Sequence, residues 1–311
     1  HNTAVGYQAG LAVTTGVQNT LIGGLAGDAL TDADQNTVVG FNALSSDTKG
    51  SQSVAIGQGA LFSQNFATSF DCNNVAVGHN AGVLSTTGVE NTLIGAFAGD
   101  ALTDADYNTA VGTNALSSDT LGSKSVALGR SALAVQNFTT ATDSHNTAVG
   151  YQAGKAVTTG VQNTFVGGLA GDGTDDGDAN VAVGYATLSA NCGDNNTAVG
   201  AGAMTGATGS DNTFMGRSAG LALTAGIKNT AVGAFALDRE TSGSFSTAVG
   251  YQALTNQIIP NGSIHNTAVG YNAAVSVSTG IQNTIIGSQA GDALTDADYN
   301  TVLGYSALGS D

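Results

Sequence analysis

The chain has 311 residues, with 45 Gly, one Pro, no Trp and 10% charged residues, and its 41% apolar share is mostly Ala and Val. Sparse charge and a single Pro argue against a disordered tail, and side chains this small suit a narrow, layered core rather than a wide globular one. The net charge of −16 repels nucleic acid and anionic lipid, and no window approaches the roughly 18 consecutive apolar residues of a membrane span.

From the first residues onward one pattern recurs, Asn-Thr-x-(Val/Ile)-Gly. Its Gly falls at 6, 23, 40, 57, 78, 95, 112, 129, 150, 167, 184, 200, 216, 233, 250, 270, 287 and 304. Most steps are 17 residues, two are 16, two are 21 and one is 20. Such self-similarity signals a stacked architecture. A longer period lies above it: residues 1–72 match 73–144 without a gap, followed by blocks 145–264 and 265–311, each opening with His-Asn-Thr-Ala-Val-Gly-Tyr. The expected fold is all-β, a parallel β-solenoid of about eighteen coils of 16–21 residues. A helix needs a 3.6-residue period, a propeller blade needs about 40 residues, and no six-residue sub-period of a hexapeptide β-helix is present. His1 falls inside a repeat and no initiator Met or signal peptide precedes it, so the chain reads as one segment of a longer fibre.

The columns of the repeat carry the chemistry. The residue before each Gly is apolar, as in Val5, Ile22 and Val39, and two positions earlier stands Thr or Val. These two share a strand face, because side chains alternate. Shared with the aliphatic position, the Thr column reads as buried. Between them lies Ala in eleven coils and Leu, Val, Phe or Ile in the others, so the strand is apolar on both faces. One face lines the coil, and the other requires a second layer or a partner chain. Four before the Gly stands Asn in fifteen coils, Asn2, Asn19, Asn91, Asn146, Asn163, Asn266 and Asn283 among them, and Ser in three: Ser53, Ser125 and Ser246. Stacked at about 4.8 Å, these amides are expected to form a ladder that satisfies itself. The Gly marks a corner that needs positive φ or a close backbone approach.

Ser51–Gly57 reads SQSVAIG, Ser123–Gly129 reads SKSVALG and Asn180–Gly184 reads NVAVG. These resemble the NSVAIG repeat of YadA-like heads in trimeric autotransporter adhesins, whose coils are shorter. The commoner form NTAVGYQAG is similar to repeats of tail-fibre-like proteins of phages and bacteria. The resemblance spans every coil. It implies a left-handed β-roll, three copies of which pack about a common axis as an extracellular or virion-surface homotrimer. The strand apolar on both faces leads independently to a partner chain, with a thin single-chain solenoid as the rival.

An acidic run supplies the sharpest chemical signal. Asp28–Asn36 reads DALTDADQN, Asp100–Asn108 and Asp292–Asn300 read DALTDADYN, and Asp172–Asn180 reads DGTDDGDAN. Clustered carboxylates repel unless a cation neutralises them, and calcium takes six to eight oxygens. The candidate ligands are Asp28, Asp32, Asp34 and Asn36; Asp100, Asp104, Asp106 and Asn108; Asp172, Asp176, Asp178 and Asn180; and Asp292, Asp296, Asp298 and Asn300. The alternative is a hydrated acidic turn carried along by duplication. Longer coils carry insertions at Phe62–Asn73, Ala134–His145 and Thr255–His265. Loops leaving a regular scaffold usually hold binding sites, which nominates Phe66, Phe138 and Ile259 for contact with a receptor or glycan. His1, His79, His145 and His265 read as solvent-facing turn residues, and Cys72 and Cys192 as free thiols in turns. The Tyr residues after the Gly (Tyr7, Tyr151, Tyr185, Tyr251, Tyr271, Tyr305) read as packing between coils rather than a continuous sugar-binding stripe. No Ser, His and Asp stand in a fixed relation and no phosphate loop is present, so the expectation is no enzyme. The expected role is a structural and adhesive fibre with no nucleic-acid or membrane contact. The rival is a solenoid binding module such as an ice- or glycan-binding protein.

Overall fold

The computed structural model describes residues 1–260 and 262–309. Among them there is no helix, so none crosses a membrane. The chain forms two compact units, His1–Val161 and Gln162–Asp311. Each is a parallel β-solenoid of nine turns. In the first unit the strands Thr3–Val5, Thr20–Ile22, Thr37–Val39, Val54–Ile56, Val75–Val77, Thr92–Ile94, Thr109–Val111, Val126–Leu128 and Thr147–Val149 pair in chain order. In the second, nine strands from Thr164–Val166 to Thr301–Leu303 do the same. The register stacks like on like: Thr3 on Thr20, Ala4 on Leu21, Val5 on Ile22. The anticipated parallel solenoid is therefore present.

Each strand ends at the recurring Gly, whose φ lies between +125° and +147°. A Cβ on Gly6 would stand 2.4 Å from the carbonyl oxygen of Gly23 in the next turn. Both reasons for glycine hold at this corner.

The interior is lined by the middle residue of each strand, not by the pair flanking it. Leu21, Val38, Ala55, Phe165 and Phe214 are fully buried, while the Thr and Val on either side are half-exposed. This corrects the expectation that the Thr column is buried. Alternation tells which residues share a face, but both faces are apolar, so the pattern does not say which one turns inward. Facing the strand, the Ala three residues after the Gly and the residue after that complete a thin core. Where the strand centre is large, the residue four after the Gly is Gly: a Cβ on Gly27 would lie 2.9 Å from Leu21, and one on Gly220 would lie 2.4 Å from Phe214. In the turns centred on Ala55, Ala110 and Ala127, that position is Leu61, Leu116 or Leu133, buried and held at φ near +50°. In these turns large opposes small; elsewhere neighbouring turns share the space, as where Gly10 and Gly82 follow Ala4 and Ala76 and a Cβ on them would meet Leu21 (2.6 Å) and Leu93 (2.7 Å) of the next turn.

The Asn column works differently from the expected amide-on-amide ladder. Asn19 Oδ1 accepts the backbone N–H of Asn36 at 2.9 Å, and its Nδ2 donates to the carbonyl of Ala33 at 2.7 Å. Asn91 does the same with Asn108 N–H (2.9 Å) and Ala105 O (2.7 Å). Each amide therefore pins two backbone segments, and amide-to-amide contacts such as Asn300 on Asn283, at 3.0 Å, are secondary. The sequence reading missed a second ladder on the return segment. There Thr14 Oγ1 donates to Thr31 O at 3.1 Å, Thr31 to Thr48 O at 2.9 Å, and Thr224 to Thr241 O at 2.7 Å.

Candidate functional site

The outward side of each main sheet is a strip of two columns, Thr or Val beside Val, Ile, Leu or Met. Ile22 and Ile286 are each 39% exposed and Met215 is 44% exposed. Among the described residues of each unit nothing covers this strip, whose second column is aliphatic or Met throughout.

The long coils fold back on the body. Phe70–Asp71 pairs in parallel with Gly50–Ser51, Thr142–Asp143 with Gly122–Ser123, and Gly262–Ser263 with Gly243–Ser244. Of the residues nominated for ligand contact, Phe66 and Phe138 are buried, which corrects their assignment. Their backbone N–H groups donate to the carboxyl oxygens of Asp47 (3.1 Å) and Asp119 (3.0 Å), turning the side chains inward. Ile259 is half-buried. The exposed large apolar side chains of these loops are Phe62, Phe70, Val135 and Ile258.

Beneath each long coil lies a buried polar quartet that sequence reasoning did not assemble. In the first, Gln64 Nε2 donates to Asp47 Oδ2 (2.7 Å) and Ser53 Oγ (3.2 Å), while Asn74 Nδ2 donates to Gln64 Oε1 (3.0 Å). The second repeats it: Gln136 Nε2 to Asp119 Oδ2 (2.6 Å) and Ser125 Oγ (2.8 Å), and Asn146 Nδ2 to Gln136 Oε1 (2.9 Å). The third substitutes Glu: Gln257 Nε2 to Glu240 Oε2 (3.0 Å) and Ser246 Oγ (3.0 Å), and Asn266 Nδ2 to Gln257 Oε1 (2.8 Å). All twelve side chains are no more than 1% exposed. The second oxygen of each acid is occupied by backbone N–H groups, those of Gly50, Gly122 and Gly243 among them. Buried polar groups are tolerated only when bonded in this way. One signal pointed here: each Ser that replaces a ladder Asn begins a coil that carries an insertion.

The acidic runs do not converge on a cation. Asn36, Asn108 and Asn180 are buried in the ladder, and Asn300 bonds to Asn283. Asp34, Asp106 and Asp298 accept the backbone N–H of Val17, Val89 and Ile281 in the preceding turn, at 2.7 to 2.8 Å. Asp32 and Asp296 take the hydroxyl of the adjacent Thr, Asp104 takes that of Thr87, and Asp176 is exposed. Asp28, Asp100, Asp172 and Asp292 each keep one buried oxygen without a partner. Burial pushes the carboxyl groups of Asp28 and Asp100 above their ordinary range. Burial also raises Asp106, opposed by the Val89 N–H and reinforced by Asp104 and Asp143. Among the described residues no three acids, histidines or cysteines are placed to hold a metal.

The remaining nominated residues fall as follows. The four His are exposed; His265 stacks on Phe245 at 5.1 Å and His79 meets Phe97 edge-on at 5.2 Å. Cys72 and Cys192 are free and buried. Burial, helped by Asp47, pushes the Cys72 thiol up to about 12. Tyr251 stacks on Tyr271 at 5.6 Å, Phe235 meets Tyr251 edge-on at 6.0 Å, and Arg217 covers Phe235 at 4.5 Å. Tyr251 and Tyr271 face each other along the stack, which is packing between coils. No family model matches the chain, and a search of curated proteins finds no significant relative.

Proposed function

We propose that this chain is a segment of a structural and adhesive fibre, displayed outside a cell or on a virion, that assembles with two further copies of itself through the outward strand faces. The observation that carries the reading is the apolar strip left open on both units. Apolar surface gains about 25 cal/mol per Å² on leaving water, and a strip repeated at every turn offers a long self-complementary contact. Left-handed winding and a threefold axis follow the resemblance to adhesin heads. Three chains with repeated loops would convert weak contacts into firm attachment. The −16 charge keeps the remaining surface solvated and disfavours nucleic acid. No catalytic role enters this reading.

Light scattering tests it: a solution mass near three times the 30.5 kDa chain mass is expected, and a mass of one chain rejects the assembly. One observation favours a second reading. The half-exposed Thr column, such as Thr20 and Thr37, forms a regular outward array of the kind that can order water on an ice-binding face. A single-chain mass together with inhibition of ice recrystallisation would select that reading instead.

A further inference from the structure

Residues 1–72 and 73–144 are ungapped duplicates. In each, the returning segment of the long coil lays an Asp beside the acidic run of two turns earlier. In the first copy the Asp34 N–H donates to Ser51 Oγ at 3.0 Å, and Ser51 pairs with Asp71. In the second the Asp106 N–H donates to Ser123 Oγ at 3.0 Å, and Ser123 pairs with Asp143. Gln52 and Lys124 leave the backbone at the same spot, their N–H groups donating to the carbonyls of Asp34 and Asp106 at 3.0 Å each.

The copies part at these two side chains. Lys124 carries its ammonium to Asp143 Oδ2 at 2.5 Å. Burial chiefly raises the Asp106 carboxyl, and the nearby charges of Asp104 and Asp143 raise it further, so these three acids form one cluster with an ammonium bonded to it. The first copy has Gln52 where that lysine stands. Its acids Asp32, Asp34 and Asp71 line one surface cavity of about 400 Å³, together with Ser51, Ser69 and Phe70. Among the described residues Asp71 has no ion-pair partner. Phe70, replaced by Thr142 in the second copy, stacks on the buried Phe66 at 5.5 Å and stays 48% exposed. An aromatic ring beside carboxylates attracts an organic cation. A metal ion does not fit, because no three acids of the described residues are placed to hold one. An ammonium group brings its own three donors and is held in the second copy by a single carboxylate.

We propose that this cavity binds a primary alkylammonium group from outside the chain, in the place that Lys124 fills in the duplicate. The ammonium bonds to Asp71, Asp32 and Asp34 add attraction, and the methylene stem lies against Phe70. The site is built within one long coil and its two preceding turns, so it does not depend on how many chains assemble.

Isothermal titration calorimetry of the full chain at low ionic strength tests it. Nα-acetyl-lysine methylamide serves as the probe for a peptide lysine, and putrescine for a free polyamine. The expected result is one saturable site per chain, with no binding of the Nε-acetylated form of the lysine probe; the tighter of the two amines identifies the source. Gln52→Lys should remove the site, and Lys124→Gln should raise the count to two per chain. Each variant carries the residue its duplicate already accommodates, and circular dichroism should match the parent. No saturable binding to the parent, binding that persists in Gln52→Lys, or a count that stays at one in Lys124→Gln overturns the inference.

Discussion

At the residue scale, the ladder asparagines act as clamps between turns. Asn91 satisfies one buried N–H and one buried carbonyl, and Ser is too short to do both. Ser stands in this column only where a long coil brings a Gln beneath it, as at Ser53 with Gln64. Asn91→Ser, in an ordinary coil, is therefore expected to cost about 2–4 kcal/mol, since each unpaired buried polar group costs about 1–3 kcal/mol. Denaturant titration would measure it. The unpartnered carboxyl oxygens act in the opposite direction. Burial raises the folded-state pKa of Asp100 above its ordinary 3.8, so the folded state holds this proton more tightly than the unfolded chain. The penalty for ionising it is present at neutral pH and disappears as pH falls through the raised value toward 3.8. Asp100→Asn should therefore raise the melting temperature at pH 7, with the gain shrinking on acidification. A gain independent of pH would contradict this assignment.

At the scale of the single turn, many turns set a large core residue against a small one. Phe214 faces Gly220, whereas Ala231 in the following turn faces Leu237. Phe214→Ala should cost about 3–5 kcal/mol through the cavity it leaves. Gly220→Leu alone should also destabilise, because its Cβ would meet the Phe214 ring at 2.4 Å. Combined, the two recreate the Ala–Leu pairing of the next turn, and Leu237 already tolerates a φ of +51° in that column. A double variant more stable than either single variant is the expected result; additive losses would refute the size rule. Much of this turn was legible in the sequence. The Gly corner and the Asn column announced themselves by recurrence. The inward face did not, because Thr-Ala-Val presents an apolar side in both directions and only the closed coil decides between them. The quartets were hidden for another reason. Asp47, Ser53, Gln64 and Asn74 lie in three consecutive coils, and each is ordinary alone. Only stacking joins them, although the coincidence of ladder Ser with long coil was visible beforehand.

At the scale of the whole molecule, the central claim is that the outward apolar strip is covered by other copies of the chain. Ile94 and Val111 lie on it in adjacent turns, part-exposed and pointing away from the core. Replacing both with Lys should leave the fold intact, since neither fills the interior, but would bury like charges wherever copies meet. The deciding measurement is sedimentation equilibrium of the parent beside Ile94→Lys/Val111→Lys, with circular dichroism confirming equal folding. The expected result is a parent of three chains and a variant of one. A parent sedimenting at 30.5 kDa, or a folded variant that keeps the parent's mass, would contradict the claim.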